Sequence, residues 1–349
     1  MAKYDLKVSI IIPHWNGIET LSECIDSILE TDFQSYEIIV SDNASTDGSQ
    51  DWIKKTYSEI VLVENNKNYG YAGGCNRGAS VAKGEFIIFL NNDTIQDVEW
   101  IKHLINVIES NDNIAAVQPK VLNYYNKEIF DYAGGSGGYM DLFCYPFTRG
   151  RIFLKQEKDF GQYNDSRQCF WASGTAFIIR KDLFFKAGQF DEVFFSHMEE
   201  IDLCWRLHAM GFQIWVAPKS IVYHKNALSM PMNSHKKYYL NHRNSLVMLF
   251  GNYSFFNSVS IGLVRIFLDC VAFCYSILKI DLNHASAIIR SLIWFFFHPH
   301  TILKKRYKFR LIRKEKDKNL LNVFFKGSIV YNYFIKNKNI YSDIESMDF

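Results

Sequence analysis

Phe86-Ile87-Ile88-Phe89-Leu90-Asn91-Asn92-Asp93-Thr94 is an apolar run that ends on two amides and a carboxylate. The run predicts a short buried strand over Phe86–Leu90. Open α/β sheets meet their ligands just beyond the carboxyl ends of strands, which is where Asn91, Asn92 and Asp93 stand. A lone hard carboxylate there suits a divalent cation that shares its remaining positions with phosphates and water. A polar turn leaving a strand reads the same way in isolation, so the neighbouring stretches decide.

Those neighbours alternate. Val8–Ile12, Glu37–Val40, Ile60–Val63 and Ala115–Val117 read as further strands. Between them, Leu21, Cys24, Ile25, Ile28 and Leu29 keep helical spacing within Thr20–Leu29. Shorter helical patterns run through Trp52 and Ile53, from Asn76 to Ala82, and around Trp100–Ile108. Strands alternating with helices imply βαβ units and a parallel sheet. Residues 121–168 lose this regularity and carry Gly134, Gly135, Gly137 and Gly138 among many tyrosines, as loops and irregular strands near the site would. Order returns with a strand at Thr175–Ile179. A helix opens at Glu199 and stops at Gly211, a C-cap, and Ile214–Ala217 and Ile221–Tyr223 read as two more strands.

At 48% hydrophobic and 22% charged residues, the 349-residue chain is globular rather than disordered. A formal net charge of +2 gives no argument for nucleic acid. The seven cysteines form no CxxC pair and no zinc-type spacing, so they read as free thiols of a reducing compartment. Lys3, Asp5 and Lys7 interrupt the N-terminus, and Val8–Ile12 is too short for a secretory core. The catalytic part is therefore expected in the cytoplasm.

After Arg243 the character changes. Asn244 to Val264 carries no charge but is rich in Asn and Ser, a weak spanning candidate. Ile266–Leu278 and Ala285–Phe297 are aromatic and aliphatic, interrupted by Arg265, Asp269, Arg290 and Pro299. Lys304 to Lys318 holds nine Lys or Arg against two acids. Apolar helices followed by a basic run suit an anionic membrane surface; a packed helical tail with a solvated basic face is the alternative. The expected division is a domain over residues 1–250 and a helical tail over 251–349.

Four further stretches carry polar chemistry. Asp42-Asn43-Ala44-Ser45-Thr46-Asp47-Gly48 leaves a strand and offers acceptors to a base or ribose, although a turn and helix cap would use the same residues. Asn68 through Gly78 is a glycine-rich turn entering a helix. Glycine permits close approach, a helix N-terminus attracts phosphate, and Arg77 adds a donor. Glu199, Glu200 and Asp202 open a helix behind Phe190, Phe194 and Phe195, with Arg206 placed to pair with Asp202. His224 ends a strand, as a metal ligand or as a hydrogen-bonded structural residue.

The order and spacing of these pieces resemble the family 2 glycosyltransferases, most of all their bacterial rhamnosyltransferase-type branch. The matching elements are Ile11-Ile12-Pro13-His14-Trp15-Asn16, the Asp42–Gly48 loop, Asn68 through Gly78, and Leu90-Asn91-Asn92-Asp93. Gly174 with Arg180, the run Gly188 to Glu192, Glu199-Glu200-Ile201-Asp202-Leu203-Cys204 with Arg206, and His224 complete the set, which covers residues 6–250. The resemblance implies a GT-A-like, Rossmann-like α/β fold with a mostly parallel sheet flanked by helices. It implies that Pro13, Asn16, Asp42, Asn43 and Ser45 line the nucleotide pocket, helped by Asn68, Gly73, Gly74, Asn76, Arg77, Asn91 and Asn92. Asp93 would hold Mg²⁺ or Mn²⁺ on the diphosphate, supported by His224. Trp171, Gly174, Asp202 and Arg206 would serve the acceptor side or the helix. The family's Glu-Asp is Glu-Glu here, so the base is Glu200 or Glu199. The first acid of the DxD element is replaced by Asn91.

The function so implied is inverting transfer of a sugar, with rhamnose favoured, from a nucleotide-diphosphate sugar. The acceptor would be a lipid-linked or growing surface glycan at the inner face of the cell membrane. Three alternatives compete. A processive polysaccharide synthase would carry a QxxRW element and several clear spans, neither of which is found. A catalytically inactive nucleotide- or glycan-binding module would keep the pocket without turnover. A nicotinamide oxidoreductase would need GxGxxG after the first strand.

Overall fold

A computed structural model describes residues 6–226 and 233–345. The expected divisions begin and end on residues 1–5 and 346–349, and these, with 227–232, lie outside the described residues. The first half alternates as the sequence predicts: β1 (Val8–His14), α1 (Ile18–Leu29), β2 (Tyr36–Asp42), α2 (Ser49–Thr56), β3 (Val61–Glu64), α3 (Gly70–Val81), β4 (Phe86–Leu90), β5 (Thr94–Gln96), α4 (Trp100–Ile108) and β6 (Ile114–Asn123).

An irregular stretch follows, with β7 (Gly138–Met140), β8 (Pro146–Thr148), β9 (Arg151–Ile152), β10 (Lys155–Gln156) and β11 (Arg167–Cys169). Then come β12 (Ala176–Arg180), α5 (Lys181–Lys186), α6 (Glu199–Ala209) and β13 (Gln213–His224). The last part is helical: α7 (His235–Asn252), α8 (Phe255–Leu278), α9 (Leu282–Phe297), α10 (Pro299–Ile312), α11 (Asp317–Leu320) and α12 (Ile329–Phe334).

The main sheet runs β11-β13-β6-β12-β4-β1-β2-β3, with β5 on β13, and most of its registered residue pairs are parallel. β12 lies antiparallel between β4 and β6. All five residues of β4 are buried, as a strand covered on both faces requires. Side chains alternate faces along a strand, and β1 shows it. Ile10 and Ile12 enter a core with Leu21, Ile25, Trp100 and Leu104, while Ile11 enters the opposite core with Ala72, Cys75 and Phe177.

Three boundaries differ from expectation. The two strands at Ile214–Ala217 and Ile221–Tyr223 are one strand, β13, with a register shift between them. The irregular stretch forms a small antiparallel sheet, β10-β9-β8-β7. The apolar run expected from Asn244 to Val264 is broken, because α7 ends at Asn252 and α8 starts at Phe255. Asn244, Ser245 and Asn252 are buried in protein contacts, so that run is no continuous span.

Residues beyond 250 do not pack as a separate unit. Phe324, Phe325, Ile329 and Tyr341 join the same core as Phe147, Phe170 and Trp205. Lys305 of α10 reaches Asp202 of α6 at 2.7 Å, and its stem covers Gly251, where a Cβ would meet Lys305 Cδ at 2.5 Å.

Candidate functional site

The carboxyl ends of β1 and β4 open onto a cavity of about 1660 Å³. Its wall carries Pro13, Asn16, Asn43, Asn68, Asn91, Asn92, Asp93, Trp171, Gly174, Glu199, Glu200 and His224, all residues singled out in the sequence. Ligand pockets reach roughly 1,000 Å³ at the large end, so two substrates have room here together.

The loops after β1 and β2 are stapled to each other. Asn16, in a left-handed conformation (φ 57°), donates its backbone N–H to Ser45 Oγ at 2.8 Å. The Thr46 N–H returns a bond to Asn16 Oδ1 at 2.8 Å. Asn43 ties β2 to the start of α3, donating to the Gly70 carbonyl at 3.1 Å, and Asn68 Oδ1 accepts from the Gly70 N–H at 2.8 Å. His14 bridges Asn92 (2.9 Å) and Ser49 (2.9 Å).

Asp93, His224 and Asp131 form a line. His224 Nδ1 is 2.9 Å from Asp131 and Nε2 is 3.2 Å from Asp93 Oδ1. The second approach is close enough for ion pairing but not aligned as a hydrogen bond, so the buried Asp93 Oδ1 keeps no hydrogen-bond partner. Burial alone would lower the imidazole pKa, but the two carboxylates outweigh it and raise it to about 10. Burial would raise Asp93, and His224 holds it below the usual carboxylate range. Among the described residues no group of three or more His, Cys, Asp or Glu is placed to chelate an ion. With the Nε2 proton displaced, the Asp93 oxygen and the imidazole beside it would fit a cation whose other ligands come from a diphosphate and water.

Glu199 and Glu200 open α6, whose N-terminus by itself favours carboxylates. Burial outweighs that. It raises Glu200 to about 7 and Glu199 well above its ordinary value, with Glu200 adding to the rise. Each keeps a buried Oε2 without a partner. Glu199 is 3% exposed and Glu200 more open. The chain enters α6 through Phe195, His197 and Met198, all at positive φ (64°, 68°, 72°). Backbone strain of this kind costs roughly 1–3 kcal/mol per residue and persists only where neighbours over-determine it. Asn244 of α7 supplies that constraint, donating to the carbonyls of Phe194, Ser196 and His197 at 3.0, 2.9 and 2.7 Å.

Several expected contacts fall off the cavity wall. The glycine-rich turn is helical from Gly70, and its glycines serve packing rather than a phosphate cradle. A Cβ at Gly74 would stand 2.8 Å from Asn43 Nδ2, and one at Gly73 2.6 Å from Tyr69 Cβ. Asn76 exchanges hydrogen bonds with the Phe190 backbone. Arg77 lies over the Tyr69 ring at 3.4 Å and pairs with Glu192 at 3.0 Å, so it does not face a diphosphate. Ser45 is spent on the Asn16 staple, and Asp42 is fully buried beneath the loop with Oδ1 unpartnered. Asp202 and Arg206 are internal, paired at 2.9 Å, which supports the helix rather than an acceptor.

Sequence reasoning missed His14, Tyr71, Asp131, Arg151, Lys236 and Lys237. His14 lies inside a quoted motif. Tyr71 donates to the Gly174 carbonyl at 2.6 Å. Asp131 and Arg151 come from the irregular stretch and give no local signal.

With this geometry in place, relatives can be compared. The profile of glycosyl transferase family 2 matches residues 9–185, about half of the chain, and the chain belongs to that family. Glycosyltransferase GlyG of Streptococcus pneumoniae serotype 4 is 29% identical over 200 residues, covering 56% of this chain and 62% of that protein. UDP-Glc:alpha-D-GlcNAc-diphosphoundecaprenol beta-1,3-glucosyltransferase WfaP of Escherichia coli is 33% identical over 128 residues, 36% of this chain and 49% of that protein. The chain thus spans less than two thirds of these curated relatives. Among solved structures, S. aureus TarS 1-349 superposes with a TM-score of 0.53 at 18% identity, covering 88% of this chain and 90% of that one. GalNAc-T7 with UDP, GalNAc and Mn²⁺ gives 0.55 at 21% identity, covering 68% and 47%. These likenesses show the GT-A-like fold. The sequence resemblance holds at the family level, and none of these relatives singles out the rhamnosyltransferase-type branch.

Proposed function

We propose that the protein transfers a sugar, with inversion, from a nucleotide-diphosphate sugar to a hydroxyl of a glycan acceptor. The supporting observation is that Asp93, His224 and Glu200 share one cavity wall, with an unpartnered oxygen on Glu200 and an Asp93 oxygen held only by its ion pair with His224. The nucleotide lies against Pro13, Asn16 and Asn43. Asn91 and Asn92 orient the diphosphate. Asp93 and His224 would hold Mg²⁺ or Mn²⁺, which when bound neutralises charge on a departing diphosphate.

Glu200 takes the proton of the acceptor hydroxyl. That oxygen bonds to the anomeric carbon from the face opposite the diphosphate. The bond from that carbon to the diphosphate oxygen breaks, and the nucleoside diphosphate leaves with the electron pair. A positioned base contributes roughly 10²–10⁴-fold. Trp171 and Gly174 line the acceptor side. Rhamnose and glucose are both donors to test, and a lipid-linked acceptor like that in the name of WfaP fits the helical tail.

That tail supports a place at the inner face of the cell membrane. α8 is long and apolar enough to cross a bilayer, and only 22% of its apolar window is buried. Its charges turn inward, where Arg265 and Asp269 pair at 3.2 Å, while Phe256, Leu263 and Phe267 face out. On α10 the exposed Leu303, Tyr307 and Leu311 form an i, i+4, i+8 stripe flanked by Lys304 and Lys308. One apolar face backed by protein suits a helix lying in the interface rather than spanning it.

A screen of purified protein against a panel including UDP-glucose and TDP-rhamnose, with Mg²⁺ or Mn²⁺ and released nucleoside diphosphate as readout, tests the reading. Acceptor-dependent release is expected for at least one donor. No release with any donor and a mixed glycolipid acceptor extract would count against transfer.

A further inference from the structure

Lys305, on α10, is 5% exposed, and its amine stands 2.7 Å from Asp202 and 3.3 Å from Asp191. Asp202 belongs to the first turn of α6, two residues past Glu200, and its N–H closes that turn on the Met198 carbonyl at 2.9 Å. Its carboxylate also accepts from Asn252 at 2.8 Å and from Arg206 at 2.9 Å. Burial would raise Asp191, and Lys305 with Arg206 holds it below the usual carboxylate range. At the other end of α6 the Ala209 carbonyl is one of the four that a helix leaves unpaired. It accepts from the N–H groups of Lys314 and Glu315 at 2.8 and 2.9 Å. α10 and the residues leaving it thus hold α6 at both ends.

That strap is itself thinly anchored. α10 buries only Ile302, Lys305 and Phe309, and it carries five Lys or Arg with no acid. Like charges four residues apart, as Lys304 and Lys308 are, oppose a helix. A segment with few buried apolar contacts lies at the low end of local stability. The outer face offers the exposed Leu303, Tyr307 and Leu311 among Lys304, Lys308 and Arg310. Whatever binds the folded helix stabilises it by mass action. An anionic lipid surface meets both needs, since its acyl boundary takes the three apolar side chains and its headgroups take the cations. A soluble polyanion would leave the apolar stripe in water.

We infer that Lys305 is a positioning residue for Glu200, and that an anionic lipid surface seated on the outer face of α10 steadies the first turn of α6 through the Lys305–Asp202 pair. The inference rests on the transfer reading and the membrane placement above, and adds regulation of that site by the surface. Lys305 is not on the cavity wall. It acts through the carboxylate that shares a helical turn with Glu199 and Glu200. A misplacement of about 1 Å is enough to cost roughly 10²-fold in rate.

Hydrogen–deuterium exchange of the full chain, with vesicles of phosphatidylcholine alone or mixed with phosphatidylglycerol, tests it beside the turnover screen. Vesicles with phosphatidylglycerol should slow exchange in α6 at least about threefold and leave α1, in the opposite core, unchanged. They should raise kcat at unchanged donor KM, and phosphatidylcholine alone should do neither. Lys305→Met should lower kcat at least about tenfold with donor KM within about twofold. It should still float with the anionic vesicles, while α6 no longer responds to them. Lys305→Gln keeps an amide donor for Asp202 and should fall between the two; it decides the comparison if the methionine variant does not fold. Lys304→Gln/Lys308→Gln should lose the vesicle response with Lys305 in place. Anionic vesicles that bind without slowing α6 exchange, or a native response in the folded Lys305 variants, would overturn the strap. So would failure of the native protein to bind those vesicles, or a fall in kcat matched by a rise in donor KM and a collapsed melting temperature in both Lys305 variants. Normal turnover beside an indifferent α6 leaves the transfer reading standing without the strap. The expected exchange pattern with no turnover from any donor leaves the strap and sinks the transfer reading.

Discussion

Glu200 rests on Gly174: a Cβ built at Gly174 would stand 3.6 Å from the Glu200 carboxyl carbon and 3.5 Å from the Tyr71 hydroxyl. The proposed base thus lies on a floor of backbone and phenol, and burial there raises its pKa to about 7. A base must be ionised to accept a proton, so kcat/KM should rise with pH through about 7 and level off above it. Gly174→Ala adds a methyl in ordinary contact, removes water from the carboxyl and should move that rise to higher pH. A profile flat from pH 5 to 8 would exclude Glu200 as the titrating base.

The same burial sets a stability trade-off. The folded pKa values of Glu199 and Glu200 lie above the unfolded one of 4.5, so the folded state binds more protons across that window. The Glu200 contribution to stability is full below about pH 4.5 and is lost as pH rises through about 7, at roughly 1.4 kcal/mol for each unit of difference, and that of Glu199 has the same sign. Glu200→Gln should therefore melt higher than the native protein at pH 8, by a few degrees, with the gap closing near pH 5. Equal melting temperatures at both pH values would show that the carboxyl is not held in a dry site.

In the proposed mechanism Asn244 acts as a positioning residue for Glu200 through the backbone that enters α6. Its amide holds three carbonyls of the strained entry to α6. Removing it leaves the Ser196 and His197 carbonyls without that donor, at about 1–3 kcal/mol each, while Phe194 keeps Arg243. Asn244→Ala should lower kcat at least about tenfold with donor KM nearly unchanged, because near-attack geometry is lost before binding is. A parallel fall in every parameter, tracking a collapsed melting temperature, would indicate a purely structural role.

Membrane contact is testable on the outer face alone. Leu263→Asp with Leu303→Asp places charge on two exposed positions (66% each) and spares the core. The double variant should stop floating with vesicles containing anionic lipid, while the native protein floats and is released by high salt. Equal flotation of both proteins would remove the apolar face from the binding surface.

The part of the fold legible in the sequence is the part with strong periodicity. β4 and α1 carried their own signals, as uninterrupted burial and a helical stripe do. The glycine-rich segment misled because glycine at a turn and glycine at a close helix–strand contact look alike in one dimension. Gly78 shows the second case, where a Cβ would lie 2.5 Å from Ile11 Cγ2. The Asp93, Glu200 and His224 positions were marked by strand and helix ends, whereas Asp131 and Arg151 were not. Their placement depends on how residues 121–168 fold back over the sheet, and no local pattern encodes that. The buried Arg265–Asp269 pair likewise read as breaks in an apolar run, although both charges point inward from one continuous helix.

The shared site of Asp93 and Glu200 is tested most directly by acceptor-dependent release of nucleoside diphosphate from the native protein, Glu200→Gln, Glu199→Gln and Asp93→Asn, at saturating Mn²⁺ with folding checked by melting. Glu200→Gln should lose roughly 10²–10⁴-fold in kcat and Glu199→Gln less than about tenfold. Asp93→Asn should need about 10–100-fold more Mn²⁺ for half-maximal rate. Native rates in the folded Glu200→Gln protein, or an unchanged Mn²⁺ requirement in Asp93→Asn, would contradict a transfer site built on these two carboxylates.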